Sequence, residues 1–328
     1  MSSAAAGEGE SGHRYRPSAA TGRPRATLLS HPAPPCYVSS MFDSQARLPD
    51  DITLGPVRLQ VASLARSLAY YQDVLGLRPL SRTATSATLG AQGGEEPLVE
   101  VVERSGAAPV PRRGRLGLYH FAILLPDRAA LGRFVEHLAR IGARAGASNH
   151  LVSEALYLTD PDGLGIEVYA DRPRSEWRWS DGELQMSTEP LDLEAVAAAG
   201  AGEPWTGMPR GTRVGHLHLH VGAIDRAAGF YGEALGLTPT VRSYPGALFL
   251  SAGGYHHHLG VNTWAGEAAA PGPGDARLLE WTIVTPDRGA AAAAAERVAR
   301  AGYAADESSG GWLLTDPWGT QLRLRGAR

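Results

Sequence analysis

One cysteine, Cys36, stands among 328 residues. A single thiol rules out an internal disulfide framework and fits a reducing cytoplasm, which is the expected location. No apolar run approaches the roughly 18 residues of a membrane span, so no membrane partner is expected. Basic charge is not in excess. Lys and Arg number 31 against 34 Asp and Glu, for a formal net charge of -3. That balance makes no nucleic-acid surface. Periodicity is missing from residues 1–50, which are rich in Ala, Ser, Gly, Pro and Arg and read as a disordered extension. The extension also lacks the apolar core of a secretory signal. Its Arg and Ser fit a transit peptide, against which Glu8 and Glu10 speak. Met41 is an alternative start.

The whole chain is 43% apolar, and beyond residue 50 it is globular in composition and long enough for two ordinary cores. Its main feature is repetition, which decides a fold before anything else does. Residues 66–77 return as 226–237, with a shared Tyr and a shared Leu-Gly-Leu ending. Gly93-Gly94 returns as Gly253-Gly254. The Pro-Asp-Arg of 126–128 returns at 286–288, and the Leu-Thr-Asp-Pro of 158–161 at 314–317. The half from about 51 to 174 is therefore a first domain and 212–328 its duplicate, joined by a linker over 175–211. Within the linker, 192–199 reads as a short helix.

Each half divides again. Residues 57–61 alternate as a strand does, and an amphipathic stretch with Leu64, Leu68, Tyr71 and Leu75 on one face stops at Gly76. Short apolar runs follow at 87–89 and 98–102. The next quarter repeats the plan: strand 119–125, helix 128–141, strand 153–159, a turn at 160–163 and strand 165–169. The fold class is α+β, with four strand–helix–three-strand units numbered 1 to 4.

Laid side by side, the first strands of the four units place Pro56, His120, His216 and Glu280 at one position. The last strands of units 2 and 4 place Glu167 and Arg323 together. Two imidazoles and a carboxylate suit Fe(II) or Mn(II) with open coordination positions. Units 2 and 3 supply that set, and units 1 and 4 do not. One metal per chain is expected, held by His120, Glu167 and His216. Glu167 sits on the face opposite Ile166 and Val168, and a carboxylate on an inward face needs a cation. His216, His218 and His220 share one strand face; the last two read as a polar wall, because ~6.6 Å steps keep all three from one ion. Tyr157, ten residues before Glu167, comes beside it if 160–163 closes a hairpin. His256, His257 and His258 read either as a proton-transfer tract or as a surface metal-binding run.

The strings Gly117-Leu-Tyr-His-Phe-Ala-Ile-Leu-Leu-Pro-Asp127, Val152-Ser-Glu-Ala-Leu-Tyr-Leu-Thr-Asp-Pro-Asp-Gly163, Gly165-Ile-Glu-Val-Tyr169, Gly215-His-Leu-His-Leu-His-Val221 and Gly253-Gly-Tyr-His-His-His258 carry a resemblance. Over 52–325 the chain resembles the vicinal oxygen chelate superfamily, and within it the two-domain proteins similar to catechol-2,3-dioxygenase. The resemblance implies four βαβββ modules paired into two glyoxalase-like domains around a divalent ion. It implies extradiol ring cleavage of a catechol- or hydroquinone-like diol with O2, as in aromatic compound catabolism. It matches His120, His216 and Glu167 to the metal triad, with Fe(II) expected and Mn(II) the alternative. It further matches His257 to a residue that takes a proton from the diol, Tyr157 to one that hydrogen-bonds the substrate oxygen, and His150 to an acid for the later rearrangement. Ring-cleaving relatives commonly take all three ligands from the C-terminal half. Glu280 and Arg323 forbid that here, so the site must bridge the halves, with unit 2 facing unit 3. A glyoxalase-type lyase or isomerase is the alternative enzyme, disfavoured because unit 3 lacks a second carboxylate. A metal or small-ligand binding protein without catalysis is the third reading. Association into homo-oligomers is left open.

Overall fold

Four units of one design build two sheets, and each sheet takes one unit from either half of the sequence. The computed structural model describes residues 47–327; the extension over 1–46, with Cys36 and Met41, lies outside the described residues. Unit 1 contributes strands Val57–Val61, Arg78–Arg82, Ser86–Gly90 and Pro97–Glu103. Unit 2 contributes Gly117–Leu124, Gly146–Asn149, Ser153–Thr159 and Gly165–Asp171. Unit 3 contributes Arg213–His220, Thr238–Val241, Ala247–Ser251 and Leu259–Asn262, and unit 4 Arg277–Thr285, Ala305–Ser308, Gly311–Thr315 and Gln321–Gly326. Every unit places a helix after its first strand, so all four are βαβββ.

The first strands of units 2 and 3 pair antiparallel at the centre of one sheet, and those of units 1 and 4 at the centre of the other. In each unit the last strand runs parallel beside the first. The short pair Thr53–Leu54 adds to the unit 4 strand. The expected disorder through residue 50 is corrected at its end. Leu48 is buried and its N–H donates to the Gly236 carbonyl at 2.9 Å, because an apolar side chain beside the core gains by leaving water.

Repeated sequence does repeated structural work. Asp127 and Asp287 of the two Pro-Asp-Arg motifs cap helices Arg128–Ile141 and Arg288–Arg300, accepting from Ala130 N and Ala290 N. Each cap satisfies a backbone donor that the helix itself leaves free. Tyr71 donates to Asp160 at 3.3 Å and Tyr231 to Asp316 at 2.9 Å. Those aspartates in turn accept from two turn amides each, Asp162 N and Leu164 N, and Trp318 N and Thr320 N. The shared Tyr and the shared Asp-Pro thus tie the two units of each half, while the sheets tie the halves to each other.

The helix expected over 64–75 begins as an α-helix, Leu64–Ala69, and widens into a π-turn, Tyr70–Val74. Unit 3 does the same over Ile224–Ala227 and Ala228–Ala234. The linker helix forms over Leu193–Ala199 with Asp192 as its cap. It packs on Arg128–Ile141 where Gly132 and Gly200 touch backbone to backbone; a Cβ on Gly132 would meet Val196 O at 2.3 Å. No helix among the described residues is long and apolar enough to cross a membrane.

Candidate functional site

The central strands of units 2 and 3 are apolar on one face and histidine-bearing on the other. Phe121, Ile123, Leu217 and Leu219 enter the core beneath the helices. Register places His120 opposite His218 and Ala122 opposite His216. The parallel neighbour sets Glu167 beside Ala122, and the hairpin closed by 160–163 sets Tyr157 directly opposite Glu167. Tertiary pairing therefore gathers one imidazole from each half around one carboxylate.

The result is tight. Nε2 of His120 lies 3.0 Å from Oε2 of Glu167, and Nε2 of His216 lies 3.2 Å from the same oxygen. The three donor atoms fall within 4.8 Å of one another, and all three residues are buried. Burial alone would raise the Glu167 carboxyl, but the charge of His216 and the hydrogen bonds from both imidazoles outweigh it and hold the group well below the usual carboxylate range. Burial lowers His216 to about 4, with Glu167 opposing. The ground state is a buried carboxylate between two imidazoles, with no arginine within ion-pair distance among the described residues. A divalent first-row ion suits this donor set, since neutral imidazole and carboxylate are its common ligands. Nδ1 of His216 has no hydrogen-bond partner and rests against the Tyr169 ring, 4.8 Å between centroids. Most ligating histidines donate that second N–H; here the aromatic ring and the neighbouring imidazoles fix the plane instead.

A cavity of about 410 Å³ opens over the triad. Its walls include Tyr119, Tyr244, Phe249 and Trp264, with Met186, Ser187 and Thr188 of the linker on one side. His150, Tyr157, His218 and His257 all line it. His150 Nδ1 lies 2.7 Å from the Ser187 carbonyl, which can only accept, so Nδ1 carries the proton. Nε2 of His150 is then bare and accepts from the Tyr157 hydroxyl at 2.5 Å. Burial and the charge of Glu167 raise Tyr157 well above its usual range, so the phenol stays protonated. With its proton engaged by His150, the Tyr157 oxygen faces the cavity as an acceptor.

The histidine tract is a loop before strand Leu259–Asn262, so strand alternation does not govern it. His257 lines the cavity, 4.1 Å from His216 between ring centroids. His256 stands behind it, and Nδ1 of His258 accepts from Ala252 N at 3.2 Å. His218 lines the cavity with Nε2 unpartnered, its ring packed where a Cβ on Gly260 would sit, at 3.0 Å. Gly260 pairs with His218 as Glu167 pairs with Ala122, so unit 3 has a glycine where unit 2 has its carboxylate. His220 is tied to Asn262 at 2.7 Å.

Sequence patterns missed several members of the site. Met186, Ser187 and Thr188 lie in an irregular linker with no periodic signal, and Tyr244 and Trp264 lie in loops of unit 3. Asp171 ends the strand that carries Glu167, and the alternation Glu167, Tyr169, Asp171 could have singled it out.

The family model described as Glyoxalase/Bleomycin resistance protein/Dioxygenase superfamily matches residues 53–168. A curated protein of Bacillus subtilis (strain 168) named catechol-2,3-dioxygenase is 44% identical over 272 residues, covering 82% of this chain and 95% of that one. Among solved structures, a Bacillus subtilis subsp. subtilis str. 168 protein provisionally named a dioxygenase superposes with a TM-score of 0.58 at 13% identity, covering 86% of each chain. A glyoxalase I mutant from Zea mays superposes at 0.51 with 20% identity, covering 84% of this chain and 94% of that one. At these identities the two structures speak for the fold alone.

Proposed function

The chain belongs to the glyoxalase/bleomycin resistance protein/dioxygenase superfamily, and from that footing we propose that it is a metal-dependent extradiol dioxygenase acting on a catechol- or hydroquinone-like diol with O2. The observation that carries this reading is the convergence of His120, Glu167 and His216 in a cavity that also presents His257 and Tyr157. The name of the 44% identical relative supports it.

His120, Glu167 and His216 would hold the ion. When bound, Fe(II), or Mn(II) as the alternative, supplies Lewis acidity and a common point of attachment for diol and O2. The remaining work falls to side chains. Tyr119, Tyr244, Phe249 and Trp264 offer ring faces and edges to an aromatic substrate. Met186, Ser187 and Thr188 narrow the access of water. His257 takes a proton from one diol hydroxyl, and burial keeps its imidazole neutral and ready for it. The Tyr157 oxygen accepts a hydrogen bond from the substrate. Nε2 of His150 is bare at the outset, so His150 serves as the acid of the later rearrangement after Nε2 has taken up a proton released by the diol, which it returns through the Tyr157 hydroxyl bonded to it.

The lyase or isomerase reading is weaker, since Gly260 stands where a second carboxylate would be needed. Residues 51–174 and 212–328 are taken as the duplicated domains and 175–211 as their connection. The single cysteine favours work in a reducing cytoplasm. Metal analysis followed by oxygen uptake over a panel of catechols and hydroquinones tests the proposal. Full metal content with no uptake on any diol would sink it.

A further inference from the structure

Behind His257 stands a pair of residues with no part in the reaction above. Nε2 of His256 lies 2.9 Å from Oδ1 of Asp171, and Nδ1 of His256 lies 2.8 Å from Nδ1 of His257. His256 is fully buried, and the Asp171 side chain keeps 24% of its exposure. Asp171 is itself fixed. The Tyr255 hydroxyl donates to the same Oδ1 at 3.2 Å, and Tyr169 and Tyr255 share a hydrogen bond of 2.7 Å.

These contacts determine where protons sit. A carboxylate only accepts, so Nε2 of His256 carries a hydrogen. In a neutral imidazole the other nitrogen is then bare, so Nδ1 of His256 accepts. With His256 neutral, Nδ1 of His257 donates to it, and Nε2 of His257 is left bare. With Nδ1 engaged, Nε2 is the ring nitrogen available to the cavity that His257 lines. Which nitrogen of a histidine carries the proton is set by the bond the other one makes.

We infer that Asp171 and His256 are positioning residues that lock His257 in the Nδ1–H tautomer, so that a bare Nε2 faces the cavity as a proton acceptor. The role of that acceptor in ring cleavage rests on the function proposed above; the tautomer itself does not. Without the carboxylate, His256 can turn its proton to Nδ1, and His257 then presents Nε2–H, which cannot take a proton from a diol.

The test is nitrogen NMR of the full chain labelled with 15N-histidine, with Zn(II) added as a diamagnetic ion. The His257 signals are identified by their loss in His257→Gln. A single Nδ1–H tautomer of His257 is expected in the unaltered protein; an Nε2–H tautomer overturns the inference. In Asp171→Ala the two tautomers should mix, and an unchanged single tautomer removes Asp171 from the role. Should that variant fail to fold, Asp171→Leu, similar in shape but with no acceptor, carries the same readout. Turnover gives the second arm. Oxygen uptake should show kcat falling roughly 10²-fold with KM for the diol within about twofold. A raised KM at unchanged kcat makes Asp171 a binding residue and overturns the assignment. If the unaltered protein cleaves no diol, the proposed function falls while the NMR result still decides the tautomer.

Discussion

Arg323 grips Glu280 with two parallel hydrogen bonds of 2.7 Å, Nε to Oε1 and Nη2 to Oε2, at the place in one sheet where His120 meets Glu167 in the other. The correspondence is strand for strand: Thr282 pairs with Arg323 as Ala122 pairs with Glu167. One copy of the repeat has a donor set for a cation, and the other has filled the position with a cation of its own. A guanidinium suits this because it is always charged and matches a carboxylate in plane.

The first prediction follows. Each chain should bind one divalent ion, and Arg323→Met should leave that stoichiometry unchanged. Stability should fall by roughly 1.5–3 kcal/mol, the range for hydrogen bonds to charged groups, because Glu280 loses both donors. Denaturant unfolding measures the loss, and the double substitution Glu280→Leu with Arg323→Met should recover part of it. Two ions per native chain would refute the assignment of a single site.

A second prediction concerns the triad. His120→Ala and Glu167→Ala should each strip the ion while the fold persists, since the side chains around them rest on a separate core. Elemental analysis beside circular dichroism tests this. Full metal content in both variants contradicts the ligand set.

A third prediction separates the three adjacent histidines. His257→Ala should retain metal and diol yet lose roughly 10² to 10⁴ in oxygen uptake, the usual worth of a positioned acid or base. His258→Ala should keep its turnover and lose stability, because Nδ1 of His258 accepts from a buried backbone amide. Uptake unchanged in His257→Ala would remove that residue from the mechanism.

The fourth prediction concerns acid. Burial lowers His216 to about 4 and His258 to about 3, and pushes His218 and His257 well below the usual range. These groups bind protons more readily unfolded, where histidine titrates near 6.5. The stability they contribute is therefore whole above about pH 6.5 and is lost as pH falls toward their folded values. For His216 alone this is on the order of 3 kcal/mol. Asp160, raised by burial to about 6, acts the other way, losing stability as pH rises from its unfolded value near 4. Burial raises Asp316 as well and lowers His220 too, so two carboxyls oppose five imidazoles, and the metal-free protein should become steadily less stable from pH 6.5 to 4.5. A melting temperature that rises over that interval on acidification contradicts this balance.

The sequence by itself determined the repeat unit and the elements within it. Helix Arg128–Ile141 and strand Ser153–Thr159 fall where periodicity and capping put them, because the Asp127 cap, the left-handed Gly142 and the apolar spacing are all local. The lining-up of His120, His216 and Glu167 was also legible, since a fourfold repeat makes equivalent positions comparable within one chain. Tertiary structure decided what no local signal carries. Alternation could not orient His256, His257 and His258, because they lie in a loop, where facing depends on what each ring can bond: Asp171, His256 and Ala252. The linker wall of Met186, Ser187 and Thr188 has no period to read, and the tautomer of His150 hangs on the Ser187 carbonyl, distant in sequence and adjacent only after folding. Hydrophobic spacing fixes which face of a strand is buried; the proton on a buried imidazole is fixed by its partners, and those are chosen by the packing of the whole chain.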